Sequence, residues 1–321
     1  MQTTSNTPAF IHAQQYSNFI LTILHDGLLP TVFYRDVSDF GSGTTLNIKT
    51  TGTVTLQDVT EDEALTYNPL ETNSITLSIT DYIGAGWYVT DVMKQDGSQI
   101  DVLMSTHAME AARAIQENFE TRYLATAYAA QTNGTPNNVN GFAHRITATG
   151  TTETVTVADL ISMKIAFDKA NVPQAGRVAI VDPIVEATLL NAFQGNYSVD
   201  SNPKMQSVLE NNFAQEHKFL MNIFGWDIWT SNRLPDVAAG QGDGTNTLTN
   251  AGKANIFMSV LDDNHKPLMV AWRQQPRVEG ERNKDRQRDE FVQTARWGVG
   301  VQRVDTLGVI LTDATTVGNG S

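Results

Sequence analysis

The chain has 321 residues, 40% apolar and 18% charged, with a formal net charge of −13 and no cysteine. This much apolar material supports the core of one large domain or two to three small ones and excludes a disordered chain. The acidic balance argues against sequence-wide nucleic-acid binding, and the lack of cysteine excludes disulfides, thiolate metal sites and cysteine nucleophiles. Packing and association must therefore hold the protein together. Threonine, asparagine, glutamine and serine are abundant. Such neutral polar surfaces suit faces that meet other subunits, and secreted β-rich proteins share them. The first lysine or arginine is Arg35, and the early apolar run at 19–24 is broken by Thr22. Neither a signal segment nor a membrane span is expected, which places the product in the cytoplasm when it is made.

Residues 1–8 are polar and read as a loose terminus. Over 9–25 the apolar residues Phe10, Ala13, Tyr16, Ile20, Ile23 and Leu24 fall at helical spacings, and Gly27 and Pro30 stop the pattern. Residues 44–56 alternate, with Leu46, Ile48, Val54 and Leu56 on one parity and mostly threonine on the other. That is a half-buried strand, or two around Gly52. Ile75, Leu77 and Ile79 repeat the alternation against Thr76, Ser78 and Thr80. The stretch between is acidic and turn-rich, with Asp58, Glu61, Asp62, Glu63, Asn68 and Pro69. Together these segments predict a long two-stranded excursion. A lone hairpin is marginal in water, so its apolar face must rest on something, and a neighbouring subunit is one candidate.

The longest helical signal spans 98–130, which contains no glycine or proline. Ser98 serves as N-cap, with Asp101 three positions on, and Ile100, Leu103, Met104, Ala108, Ala111, Ile115, Phe119 and Tyr123 trace one stripe. A helix of this length can serve as the backbone of a domain. Residues 141–155 read as strand-like. Thr156 and Asp159 start a helix bearing Leu160, Ile161, Ile165 and Phe167, stopped by Pro173 and Gly176. Arg177–Val181 reads as a short buried strand, and Asp182-Pro183 opens another helix. A further helix is expected near 203–214. Residues 223–229 read as a strand entering a loop at 231–235, and the glycine-rich stretch 238–254 reads as a surface loop. Strand character returns over 255–311. Phe291, Ala295, Trp297, Val299 and Val301 share one parity there, and Leu307 to Leu311 forms a last buried strand before a polar tail. No internal repeat of fixed period is present.

Catalytic patterns fail on inspection. Gly252-Lys253 is followed by Ala254, and Thr247 stands where a phosphate loop needs its first glycine. Gly240 and Gly242 lead to Thr245, which spoils a dinucleotide fingerprint, and Gly41-Ser42-Gly43 is a turn with no nucleophile elbow. Six histidines are scattered, and only His107 and Glu110 share a helix face at ligand-like spacing. Two residues make no metal site, so His107 reads as helix packing. Asp262-Asp263-Asn264 lacks the spaced carboxylates of a calcium loop and reads as a turn. Glu61, Asp62 and Glu63 read as a solvated loop tip. The segment 273–288 carries Arg273, Arg277, Arg282, Lys284, Arg286 and Arg288, interleaved with acids through Glu290. Mixed sign argues against a nucleic-acid stripe and for a solvated or interfacial ion-pair segment. No catalytic residue, cofactor or metal is expected.

The order of elements is arm, acidic-tipped hairpin, long helix, α/β segment and closing strand. With two local runs it resembles the major capsid proteins of tailed bacteriophages, an α+β Hong Kong 97-type fold. The first run is Gly225-Trp226-Asp227-Ile228-Trp229-Thr230-Ser231-Asn232-Arg233-Leu234-Pro235. It is similar to a stretch of short-tailed-phage coats. The second is Trp297-Gly298-Val299-Gly300-Val301-Gln302-Arg303, similar to the family's late strand, and Arg177 to Pro183 is a third, weaker likeness.

The resemblance implies an N-terminal arm at 1–43 and an extended loop at 44–90 lying over a neighbour. It also implies a peripheral domain at 91–154 and 266–303 with its spine helix at 98–130, and an axial domain at 155–265 and 304–321. The implied partners are the chain itself, in pentamers and hexamers of a shell, with a separate scaffolding protein, a portal and a possible decoration protein. Packaged double-stranded DNA would be contacted non-specifically, and no membrane is implied. The implied location is the virion capsid, reached from the host cytoplasm. Some relatives crosslink a lysine of the extended loop; Lys49 lies there, but no asparagine and acidic catalyst stand out, so crosslinking is not carried over. The sharpest expectation is that Asp58, Glu61, Asp62 and Glu63 meet the 273–288 segment of a neighbour, with Leu46, Ile48, Val54, Leu56, Ile75, Leu77 and Ile79 buried between subunits. Alternatives are an encapsulin-like compartment subunit, a β-rich carbohydrate-binding protein using its five tryptophans, and an enzyme with an unrecognised site.

Overall fold

The computed structural model describes residues 29, 31–39, 43–51, 56–59, 61, 72–97, 100–131, 138–196, 219–313 and 315–318. The helices expected over 9–25 and 203–214 lie outside these residues. In chain order come β1 (Arg35–Asp36), β2 (Thr45–Thr51), β3 (Thr72–Ser78) and β4 (Asp81–Thr90), then the short helix α1 (Asp91–Asp96) and the long helix α2 (Ile100–Ala129). Next are β5 (Asn138–Val139), β6 (Phe142–Ala143), β7 (Arg145–Thr147), α3 (Val157–Lys169), β8 (Arg177–Val181) and α4 (Pro183–Asn196). The chain closes with β9 (Phe219–Ile223), β10 (Trp226–Thr230), β11 (Asp236–Val237), β12 (Gly252–Ser259), β13 (Leu268–Asn283), β14 (Arg288–Val301) and β15 (Leu307–Asp313).

The helix signals set their own boundaries. Thr156 and Asp159 form the reciprocal capping box expected of them, each side chain taking the other's backbone N–H, and this fixes the start of α3. Asp182 accepts the backbone N–H of Ile184 at 3.0 Å and so caps α4, with Pro183 at its first position. In α2 the buried residues Ala111, Ile115, Glu120, Tyr123, Leu124 and Ala127 all fall in the C-terminal two thirds. Among residues 100–110 no described side chain is fully buried.

Two sheets meet at that helix. The first has the order β1-β13-β14-β4, and its β4 alternates in exposure along its length. One face packs on α2, through Ile83, Ala295 and Trp297 against Ile115, with Phe119 and Trp272 beside them. The Phe119 and Trp272 rings lie 4.7 Å apart and the Trp272 and Trp297 rings 5.1 Å apart. The second sheet has the order β7-β15-β12-β8-β10-β9, with β11 on β12. Its β8 is buried at every position, because both faces are covered. Ala179 and Val181 face α3 and α4, where they meet Leu160, Phe167 and Leu189. Val178 and Ile180 join Tyr123, Leu124 and Ala127 of α2 and Leu268 and Val270 of β13 in one cluster. That cluster ties the two sheets together.

Three expectations are corrected. The 223–229 run is not one strand: Phe224 and Gly225 both take positive φ, 52° and 87°, and a two-residue turn folds β9 back on β10. Within the stretch 44–90, expected as one extended loop, Asp81 to Thr90 pair instead with β14. Residues 145–147, expected in the peripheral domain, pair with β15 and belong to the seven-stranded sheet. Part of the loop's apolar face is also not free for a neighbour. Leu77 and Ile79 are buried in their own chain with Met269 and Ala271, and Leu46, Ile48 and Ile75 pack partly against them. The glycines of β14 permit this. A Cβ at Gly298 would stand 2.4 Å from the Ser78 carbonyl oxygen, and one at Gly300 would stand 2.6 Å from the Leu77 side chain. Leu56 is 90% exposed, and Val54 lies outside the described residues.

Leu124 is fully buried in the cluster shared by both sheets. Leu124→Ala is expected to cost about 2–5 kcal/mol, read as a lower urea midpoint with an unchanged slope in tryptophan fluorescence. A loss below about 1 kcal/mol would show that this cluster does not carry the fold.

Candidate functional site

The residues that could have carried chemistry have structural partners. His107 packs edge-on against the Trp87 ring at 5.1 Å. Asp262 accepts the backbone N–H groups of Asn264 and His265, and its Oδ1 lies 2.6 Å from His265 Nδ1, so this segment is a turn. That His265 contact holds the Asp262 carboxyl below its ordinary range. Lys253 sits in β12 and donates to the Leu234 carbonyl at 3.1 Å. Among the described residues no group of three or more His, Cys, Asp or Glu could hold a metal ion. No described helix is long and apolar enough to cross a membrane. Of the five tryptophans Trp226 and Trp297 are fully buried, and Trp87, Trp229 and Trp272 are half-buried in ring contacts with Phe291, Phe33 and Phe119.

What the structure offers instead is surfaces and a joint. The joint centres on Glu120, which is only 5% exposed on α2. Its carboxylate accepts the Leu29 backbone N–H at 3.3 Å, the Ser231 hydroxyl at 3.1 Å and an Arg233 N–H at 3.4 Å. Arg233 also reaches Glu117 at 2.9 Å, and Glu117 meets Arg113 at 3.3 Å. One carboxylate thus holds the root of the N-terminal arm, the long helix and the loop after β10. Beside it lies a cavity of about 630 Å³, lined by Phe33, Tyr34, Phe119, Tyr123 and Trp272 among others. Burial pushes the Tyr34 and Tyr123 phenols above their ordinary range. Sequence reasoning singled out the 231–235 run only by resemblance and missed its role. An isolated glutamate on a helix gives no signal of what it meets from elsewhere in the chain.

The basic-rich segment 273–288 proves to be two different things. At its far end Arg282 makes a two-pronged contact with Asp91, at 2.7 and 2.8 Å, and reaches Asp289 at 3.2 Å. Lys94 pairs with Asp289, and Arg288 pairs with Glu290 at 2.6 Å while lying 4.2 Å over the Tyr88 ring. Asn283 accepts the backbone N–H groups of Asp285 and Arg286, which sets the turn that carries Lys284. Within the single chain Arg282 and Arg288 therefore bind α1 and the sheet. At the near end, Arg273 and Arg277 are exposed, and Arg277 pairs with the exposed Glu279. Of the acidic loop, Asp58 and Glu61 are exposed, while Asp62 and Glu63 lie outside the described residues. Among the described residues no ion pair joins Asp58 or Glu61 to the 273–288 segment.

Exposed apolar residues crowd this part of the molecule. They include Tyr82 and Tyr88 on β4, Val92 and Met93 on α1, and Val102 and Met109 on the first half of α2. α1 has no buried residue.

Comparison with known proteins agrees with a surface built for association. The profile of a family described as phage capsid protein matches residues 72–312. No curated protein matches the sequence. Among solved structures, the capsid of cyanophage P-SCSP1u superposes with a TM-score of 0.71 at 16% identity, covering 98% of this chain and 96% of that one. The mature capsid of bacteriophage PhiM1 gives 0.70 at 14% identity over 96% and 94% of the two chains. Mycobacterium phage Che8 gives 0.65 at 14% identity over 94% and 97%. At these identities the likeness is one of fold, and it is the Hong Kong 97-type fold that the sequence resembled.

Two outcomes follow. Arg233→Ala strands the buried Glu120 carboxylate and is expected to cost about 3–5 kcal/mol, against a smaller loss for Glu120→Gln, both read by urea unfolding. The second concerns acid. Hydrogen bonds from Arg282, Lys94 and Arg288 hold Asp91, Asp289 and Glu290, in that order, below their ordinary carboxylate range. Depressed groups stabilise above their ordinary value, near about pH 4, and lose that contribution as pH falls through their lower folded-state values. Amide-exchange protection of α1 and of the turn at 284–287 should therefore fall selectively in acid while β8 and β12 keep theirs. Uniform loss would contradict the assignment.

Proposed function

The chain belongs to the phage capsid protein family and is a major capsid protein of a tailed phage, and we propose that its copies assemble as pentamers and hexamers into an icosahedral shell around double-stranded DNA. The observations that carry this reading are the family match over residues 72–312 and a well-buried two-sheet core that leaves apolar residues exposed on the hairpin, on α1 and on the first half of α2. A monomer gains nothing from those surfaces, whereas a shell buries them at about 25 cal/mol per Å². Each contact is weak, and closure sums many of them. The net charge of −13 suits a container that must enclose DNA without adhering to it. The family match favours a phage shell over a bacterial compartment.

In this reading residues 1–43 form the arm, the hairpin before β4 forms the extended loop, and α2 with its four-stranded sheet forms the peripheral domain. The seven-stranded sheet forms the axial domain, whose loops meet around capsomer centres. A separate scaffolding protein, a portal and a decoration protein are the further partners. Assembly takes place in the host cytoplasm and ends in the virion. The acidic loop tip contributes register more than stability, because exposed ion pairs are individually weak.

Expressed at full length, alone and with the reading frames that flank its gene, the chain is expected to give closed shells, tubes or capsomer rings in velocity sedimentation and negative-stain electron microscopy. A monomer under both conditions would overturn the shell reading. Glu61→Lys with Glu63→Lys should impair assembly far more than monomer stability, and normal shells would sink the register role of the tip.

A further inference from the structure

The cavity beside Glu120 lies where three separate parts of the chain meet. Leu29, Phe33 and Tyr34 come from the arm root, Phe119, Glu120 and Tyr123 from α2, and Trp272 from β13. Its volume of about 630 Å³ is that of a small-molecule site.

A break in β13 shapes one wall. The register of β13 against β14 shifts between Trp272 and Gln274 and again between Gln274 and Arg277. Pro276 has no N–H to give to a ladder, and bulges re-aim side chains. Gln275 and Pro276 therefore leave the ladder and border the cavity. Phe33, Glu120 and Tyr123 are buried and form its floor, while Asp36, Gln116 and Gln275 are exposed and form its rim.

The walls are aromatic and the charged groups are acids. The Tyr34 ring stands 5.6 Å from Phe119 and 5.8 Å from Tyr123, and Phe119 stands 4.7 Å from Trp272. Ring faces carry negative partial charge. Glu120 stands at the floor and Asp36 at the rim, and among the described residues no lysine, arginine or histidine lines the cavity. Burial first, and the charge of Asp36 after it, raise the Tyr34 phenol against the opposing hydrogen bond with Trp272, so negative potential reaches the rings. Glu120 also keeps acceptor capacity. A carboxylate offers about four acceptor positions. The Leu29 N–H and Arg233 share Oε2, and the Ser231 hydroxyl takes Oε1.

Aromatic faces combined with carboxylates are the surroundings that hold an organic cation out of water. We propose that this cavity is a binding site for a small aliphatic amine in its ammonium form. Its charge is set against Glu120 and Asp36, and its methylenes lie on Tyr34, Phe119 and Trp272. Such a ligand touches the arm root, α2 and the bulge of β13 at once, and so fastens the arm root to the helix. A neutral or anionic molecule of the same length lacks the charge that the site selects. The site needs only the folded subunit, so it stands or falls apart from the shell reading.

The test is a calorimetric titration of cadaverine into the full-length chain, with pentanol and pentanoate as neutral and anionic controls. Saturable uptake of one cadaverine per chain is expected, with neither control bound. A chain of net charge −13 attracts any cation weakly, so rim variants decide where the amine sits. Gln116→Lys and Gln275→Lys each place a cation at the mouth and should weaken cadaverine roughly tenfold or more while the urea midpoint stays in place. Bound cadaverine should also raise amide protection at residues 33–37 and leave β8 and β12 unchanged. Equal affinity in both lysine variants would reduce the uptake to general surface attraction and overturn the site. Pentanoate binding as tightly as cadaverine would overturn it too, as would no saturable uptake, the result expected if the chain's own residues fill the cavity. If neither lysine variant folds, Asp36→Asn at the exposed rim carries the test: a several-fold loss supports the site, and unchanged affinity overturns it.

Discussion

The C-terminal part of α2 touches both sheets, and the rest of the subunit depends on that double burial. Tyr123, Leu124 and Ala127 enter the cluster that holds β8 and β12 of one sheet and β13 of the other. A few residues earlier, Ile115 and Phe119 meet Trp297 and Trp272. The Glu120 carboxylate then pins the helix to the arm root and to the loop after β10. A buried carboxylate with a guanidinium, a hydroxyl and a backbone N–H costs little only while all three partners are in place. The joint thus fixes Leu29 and the loop after β10 against α2.

A subunit anchored at one end of a long helix leaves the other end to its surroundings. Residues 100–110 of α2 and the whole of α1 carry no fully buried described side chain. They are held by the ion cluster of Arg282, Asp91, Lys94 and Asp289 and by the Trp87, His107 and Phe291 rings. This division suits a shell protein. In the proposed shell the far surfaces are the ones that gain cover when copies meet.

How much of this could be read from the sequence follows from the range of each interaction. The capping box at Thr156 and Asp159, the Asp182-Pro183 start and the unbroken α2 are local signals, and all three are where the pattern put them. The alternation of Leu46, Ile48, Ile75 and Leu77 gave the hairpin pair. The misses came from pairing between distant segments. Whether Asp81 to Thr90 joined the hairpin or the sheet depended on β14, more than 190 residues later. The family-like glycines of the 297–303 run were visible, but their purpose, close approach of the hairpin root, appears only once β3 is laid on β14. In the segment 273–288 the mixed charge was legible, but the pairing of Arg282 with Asp91 was not, because Asp91 lies far away in the chain.

The central claim is that one end of the subunit is complete by itself and the other is completed by copies. Amide hydrogen exchange measured on the unassembled chain and on assembled particles tests it most directly. The account predicts equal protection of β8, β12, β15 and the C-terminal part of α2 in both, with new protection on assembly confined to α1, the first half of α2, the hairpin and the edge strand β4. Identical protection everywhere, or a core that becomes protected only on assembly, would contradict it.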